Sequence, residues 1–364
     1  MTRDLRRFAG RWTIATPVLA VLMLALTWEG HPGAPVLVIV GLFLAGSVLA
    51  AVHHAEVVAH RVGEPFGSLV LAVAVTVIEV ALIVTLMLSG GSETATLARD
   101  TVFAAVMITC NGIVGLSVLV GALHRRVASF NAEGAATALA TVLTLATLTL
   151  VLPAFTTSRP GPEFTSGQLA FAAVASLALY ALFVVVQTVR HRDYFLPADD
   201  GTADAAEHAA APTSQAALAS LGLLVVALIA VVGLAKIESP AIEDAIAAVG
   251  APASAVGVVI ALLVLMPESL AAVRNARRDR VQTSFNLAYG SAMASIGLTI
   301  PTIAIASMWL DGPLELGLGA TQIVLLTITA VVGALTVLPG RATIQEGGVH
   351  LVLFAAFLVL AISP

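Results

Sequence analysis

Charge is what this chain lacks most. Only 11% of its 364 residues are Asp, Glu, Lys or Arg, whereas soluble domains carry about 25%. With 59% hydrophobic residues and a mean hydropathy of +1.01, that scarcity excludes an ordinary soluble globule. Cys110 is the single cysteine, so no intrachain disulfide can form. H-E-x-x-H and G-x-S-x-G are missing, which argues against a metalloprotease-like or serine-hydrolase-like intramembrane enzyme, so the chain is not expected to be an enzyme. There is no nucleotide-binding P-loop either, which argues against an ATP-driven pump in this chain. No nucleic-acid partner and no cofactor are expected. The net charge of −5 says little about partners, because most charges lie in short loops where position matters more than the sum.

What is present is a series of long apolar runs. About 20 residues at 1.5 Å rise span the ~30 Å hydrocarbon core of a bilayer. Eleven such runs are predicted, at roughly 12–28, 35–55, 66–88, 101–123, 135–152, 168–190, 215–235, 253–273, 285–308, 317–338 and 347–362. The run after Arg11 is full-length and has no A-x-A-type exit, so it reads as a retained first span, not a cleaved signal.

Basic residues give an independent check. With a cytoplasmic N-terminus, the inner side holds fourteen arginines, among them Arg3, Arg6, Arg61, Arg125, Arg274 and Arg341, and the outer side holds only Arg99, Arg159 and Lys236. That asymmetry is the positive-inside signature, and it predicts a multi-pass membrane protein with its N-terminus inside and its C-terminus outside.

The chain then divides into 1–34, an N-terminal arm and first helix; 35–190, a first set of five spans; 191–214, a linker; and 215–364, a second set of five. The linker is acidic, with Asp193, Asp199, Asp200, Asp204 and Glu207, and reads either as a solvated tether or as a funnel that concentrates cations. An odd number of spans per set gives the sets opposite orientations, the inverted-repeat arrangement common in transporters. The fold class is therefore an all-α polytopic membrane protein of about eleven helices: one extra helix plus two inverted five-helix repeats.

Two glutamates stand out within this pattern. Residues 67–88 carry Glu79 as their only charge, and residues 253–273 carry only Glu268. Each lies in the second span of its set. A carboxylate in a spanning helix costs roughly 2.5 kcal/mol or more on insertion scales and commonly marks an ion or proton path. Each would bind a cation when ionised and a proton when neutral. Neutral oxygens nearby suit hard cations: Asn111 in the span after Glu79, and Ser291 and Ser295 in the span after Glu268, with Thr299 continuing the same face at spacing four. Thr76 and Ser269, beside the two glutamates, are further candidate secondary ligands. Small polar residues also act as helix glue, which is the competing reading for all of them. Pro267, just before Glu268, is expected either to interrupt the helix and free carbonyls for a cation or simply to kink it. Glu268 lies only six residues before Arg274, so the helix is either broken and tilted there or holds its carboxylate at a different depth from Glu79. His53, Glu56 and His60, spaced i, i+3, i+7 at the end of the second span, form a candidate entry face for protons or cations, or else an interfacial helix end.

Segments 54–80 (HAEVVAHRVGEPFGSLVLAVAVTVIEV) and 267–301 (PESLAAVRNARRDRVQTSFNLAYGSAMASIGLTIP) resemble the bacterial calcium/proton exchanger family of the calcium/cation antiporter superfamily. That resemblance implies the same one-plus-five-plus-five architecture, and it matches Glu79 and Glu268 to the paired ion-binding glutamates. Two departures are visible. The segments VTVIE and LMPES lack the Gly-Asn pair found in many members, and Ser269 stands where a histidine often follows. Both resemble the subgroup associated with sodium and potassium as well as calcium. The expected function is a secondary antiporter exporting cytosolic Ca2+, or Na+ or K+, against protons. The alternatives are a passive cation channel and, in a different class, an intramembrane enzyme.

Overall fold

Helices are forced on the apolar runs, because lipid supplies no hydrogen bonds and each backbone N–H and C=O must find its partner within the segment. The structure, a computed structural model, describes residues 3–28, 30, 32–63, 66–89, 95–196, 212–248, 250–309 and 313–363. Among these there are eleven long helices: α1 Arg3–Thr27, α2 Ala34–Val62, α3 Phe66–Ser89, α4 Leu97–Arg125, α5 Ala132–Ala154, α6 Ser166–Arg190, α7 Ser214–Ala248, α8 Ala255–Ala276, α9 Val281–Ala306, α10 Ala320–Val337 and α11 Ile344–Ile362. Among the described residues, nine of them are long and apolar enough to cross a membrane, while α1 and α3 contribute the shorter apolar stretches Trp12–Thr27 and Ala72–Met87. The eleven expected spans are thus the eleven helices.

Three features differ instructively from the expectation. The span predicted to end at 235 continues as α7 to Ala248, through Lys236, Glu238 and Pro240. Ser239 there is buried and donates to Glu243 Oε1 at 2.9 Å. Helix α8 runs unbroken through Pro267, so of the two outcomes expected there, interruption or kink, the interruption is absent. Helix α4 contains a π-helical segment, Ile108–Ile113, that nothing in the composition announces. Of the acidic linker, Asp193 sits in a short 3₁₀ turn, Arg192–Phe195, whereas Asp199, Asp200, Asp204 and Glu207 lie outside the described residues.

The helices gather into two compact units. Unit one is Met1–Ser89 with Asp204–Val249, and so contains α1, α2, α3 and α7. Helix α2 is its centre, packed on α1, α3 and α7. Unit two is Gly90–Ala203 with Gly250–Pro364, built around α4 and α9. Burial grades outward from there: 89% of the most apolar window of α4 is buried, against 22% for α6 and 17% for α11.

Loop pairings within unit two sort its connections into two ends. At one end, Ala128–Ser129 after α4 pairs antiparallel with Arg341–Ala342 after α10, with Ala128 opposite Ala342. At this end too, Arg125 meets Asp279, between α8 and α9, at 3.0 Å, and Asn286 at the start of α9 donates to the Phe195 carbonyl beyond α6 at 2.6 Å. At the other end, the segment before α10 is held by Glu315 N–H on the Ala95 carbonyl (3.1 Å), Gly317 N–H on Pro162 (3.0 Å) and Leu318 N–H on Leu150 (2.8 Å). Successive connections therefore alternate between ends, as successive crossings require. Arg125, Arg126, Arg190, Arg192, Arg277, Arg278, Arg280 and Arg341 fall at the first end, and Arg99 and Arg159 at the second. In unit one, Arg61 at the end of α2 donates to Ser214 at the start of α7 at 2.9 Å, which places those two termini side by side.

Candidate functional site

Unit one holds Glu79. The glutamate is the fourteenth of the 24 residues of α3 and only 4% exposed, in a helix that packs against α2 and α7. Thr76, one turn earlier on the same face, is 5% exposed, while Val77 between them points outward. A hydroxyl and a carboxylate are thus presented together toward the interior. His53, Glu56 and His60 do share a face of α2, but all three are exposed, and they do not form a group able to hold a metal.

Their neighbour His54 is the buried one. Its Nε2 donates to the backbone carbonyl of Thr13 on α1 at 2.9 Å. The reason lies in α1: Pro17 has no N–H, so the carbonyl four residues earlier, that of Thr13, loses its helical donor. Sequence reasoning chose His53 for its spacing and passed over His54. The available signal was the proline, which beyond the first turn of a helix takes the helical donor from the carbonyl at i−4.

Unit two holds Glu268, 7% exposed and fourteenth of the 22 residues of α8. Pro267 removes the donor that would otherwise reach the Leu263 carbonyl. Ser269 turns its hydroxyl back to the Leu265 carbonyl at 2.8 Å. On the adjacent α9, Ser295 and Thr299 are buried and Ser291 is partly exposed, so their four-residue spacing does produce one inward face. Ser284 Oγ on α9 donates to the Ala272 carbonyl at 2.7 Å, one turn beyond Glu268, and fixes the two helices against each other.

Asn111 lies in the π segment of α4, fully buried. Its amide nitrogen donates to Thr329 Oγ1 on α10 at 2.9 Å and faces Met107 Sδ at 3.8 Å, and its Oδ1 lies 3.1 Å from Nδ1 of His350 on α11. The other His350 nitrogen, Nε2, meets the Thr336 hydroxyl at 3.1 Å. Thr329, Thr336 and His350 were not anticipated from the sequence. A lone histidine inside the apolar last span was the signal for them.

Unit two thus brings Glu268, Ser269, Ser291, Ser295 and Asn111 onto neighbouring elements, since the π segment packs on both α8 and α9. Carboxylate, hydroxyl and amide oxygens are the donors that hard cations take. Eleven helices among the described residues, nine of them long and apolar enough to cross a membrane, with Glu79 and Glu268 buried inside apolar helices, define a multi-pass membrane protein.

Comparison with known proteins places that class. The chain belongs to the sodium/calcium exchanger protein family, which it matches over residues 33–189 and 219–363. It is 46% identical over 347 residues to a protein of Sinorhizobium fredii named as an ionic transporter, y4hA, covering 95% of this chain and 94% of that one. It is 34% identical over 348 residues to the sodium-potassium/proton antiporter ChaA of Escherichia coli, covering 94% of each. Among solved structures, YfkE superposes with a TM-score of 0.71 at 16% identity, covering 97% of this chain and 99% of that one. The H+/Ca2+ exchanger CAX gives 0.68 at 16% identity, covering 98% and 93%. At that identity the likeness is one of fold.

Proposed function

We propose that the protein is a secondary active antiporter of the bacterial plasma membrane that exports cytosolic Ca2+, Na+ or K+ in exchange for protons, with its N-terminus cytoplasmic and its C-terminus outside. The observation that carries this reading is a pair of glutamates, Glu79 and Glu268, buried to 4% and 7% exposure in helices with no other charge along the apolar run, in a chain of the exchanger family. A carboxylate so placed is tolerated only where its ionised form has a cation or dipoles to face and its neutral form a proton. Each glutamate would hold the cation when ionised and give it up on protonation. Thr76 beside Glu79, and Ser291, Ser295 and Asn111 near Glu268, supply the neutral oxygens that complete a cation's shell. The E. coli relative's exchange of sodium and potassium for protons, at 34% identity along the whole length, supports a monovalent substrate beside calcium. Exposed apolar side chains such as Leu26, Val174, Leu335 and Val352 face the lipid.

The test is proton movement in sealed proteoliposomes containing a pH-sensitive dye. Adding Ca2+, Na+ or K+ on one side should move protons to that side, in a manner that saturates with cation and persists when the membrane potential is clamped. Cation flux without proton flux would make the protein a channel. Absence of both would remove the transport reading.

A further inference from the structure

His350 is a buried titratable side chain to which the exchange reaction assigns no part. It lies on α11 with no solvent exposure, and both ring nitrogens are bonded: Nδ1 to Asn111 Oδ1 and Nε2 to the Thr336 hydroxyl, each at 3.1 Å. One neutral tautomer satisfies the whole set. Asn111 Oδ1 can only accept, so Nδ1 carries the proton, and Nε2 accepts from Thr336. The amide nitrogen of Asn111 is then free to donate to Thr329, as it does at 2.9 Å. Three helices, α4, α10 and α11, meet through these side chains.

The backbone reinforces the contact. A Cβ on Gly115 of α4 would stand 2.9 Å from the His350 Cβ and 3.2 Å from the Gly347 carbonyl, and a Cβ on Gly347 would stand 2.8 Å from the Leu119 nitrogen. Only glycine at both places lets α11 approach α4 closely enough for the imidazole to reach Asn111. The residue it reaches lies in the π segment Ile108–Ile113, a stretch whose widened turn is a weak point in a helix and needs outside support to hold one geometry. That segment also packs on α8 and α9, which carry Glu268 and Ser295.

We propose that His350 is a positioning residue. It clamps Asn111, and with it the π segment of α4, in one arrangement, and thereby sets the face that unit two presents to the cation near Glu268. The consequence for transport rests on the antiporter reading above; the clamp itself does not.

The experiment uses the full-length protein and its own reporter, since Cys110 is the single cysteine, lies within the π segment and is 1% exposed. Modification of Cys110 by methyl methanethiosulfonate reads the clamp without any transport, and the apparent Km for Ca2+ and Na+ in proteoliposomes reads its consequence. His350→Leu, which keeps bulk but loses both bonds, should raise the Cys110 modification rate by at least about tenfold, the factor expected from a single lost buried hydrogen bond, and should raise the cation Km severalfold more than it lowers the maximal rate. His350→Asn places an amide donor near the Nδ1 position and should restore most of both, while Thr336→Val should fall between. Equal behaviour of His350→Leu and His350→Asn would show that His350 only fills space, and unchanged Cys110 protection with unchanged Km in His350→Leu would overturn the proposal outright. If His350→Leu does not insert, an unprotected Cys110 in Thr336→Val still supports the clamp, and a protected one contradicts it. Cys110 loosened by Leu and restored by Asn, in a protein that moves no protons on cation addition even when unmutated, would keep the clamp and sink the antiporter reading.

Discussion

The bond between His54 and the Thr13 carbonyl makes a prediction that a double-mutant cycle can decide. Pro17 strands that carbonyl, and His54 supplies the missing donor at 2.9 Å, with Thr13 and His54 each 3% exposed. His54→Leu keeps volume but leaves a buried carbonyl without its donor, which costs about 1–3 kcal/mol. Pro17→Ala returns an N–H to position 17, and that N–H closes the ordinary helical bond to Thr13. In the Pro17→Ala background the same His54→Leu change should therefore cost only a few tenths of a kcal/mol, leaving a coupling of about 1–2 kcal/mol. Unfolding entropy of about 2.1 cal/mol/K per residue over 364 residues converts each kcal/mol to roughly 1.3 °C. Thermal unfolding of the four detergent-purified variants should thus depart from additivity by about 1–3 °C. Identical losses in the two backgrounds would refute the reasoning, since His54 would then act by packing and not by replacing a helical donor.

Three further outcomes are expected. Glu79→Gln and Glu268→Gln should each abolish cation-driven proton movement while raising no barrier to membrane insertion, because a neutral amide is cheaper to bury; normal exchange in either variant would remove that residue from the ion path. If protons and cations compete for the same carboxylates, the ionised form that holds the cation is lost as pH falls, so apparent cation Km, measured as initial rate against concentration, should rise about tenfold per pH unit and per competing proton below the carboxylate range; a Km independent of pH would contradict competition. In a Cys110→Ser background, cysteines placed at the exposed positions Ser129 and Ser158 should react with an impermeant maleimide from opposite sides of the membrane, Ser129 from the cytoplasm; labelling of both from one side would break the alternation of the helices.

How much of this was legible in the sequence follows from what hydropathy measures. It locates where an apolar run begins and ends, and the eleven runs gave the eleven helices. It is blind to a helix that leaves the apolar zone and keeps going. Lys236, Glu238, Ser239, Glu243 and Asp244 read as a loop because they are polar, yet α7 carries them to Ala248. Of the two outcomes expected at Pro267, a break and a kink, one missing donor does not produce the break in α8, while Pro17 was given no weight although its missing N–H leaves a carbonyl that recruits His54 from another helix. Spacing placed Ser295 and Thr299 correctly inward, since four-residue repeats put side chains on one face whatever the surroundings. It could not find the clamp on Asn111, because Thr329, Thr336 and His350 stand more than 200 residues along the chain from it and are joined to it only by folding.

Helix α7 belongs with α1, α2 and α3 although it is made long after them, and this has a cost in time at the ribosome. Between Ser89, the end of α3, and Ala248, the end of α7, lie 159 residues, during which α4, α5 and α6 of the other unit are synthesised. At about 5–20 residues per second, the first three helices wait roughly 8–30 s for the fourth. Throughout that interval the side of α3 that finally rests on α7 lacks that helix to lie against. The nascent chain must hold a half-built unit in the bilayer while it begins the next.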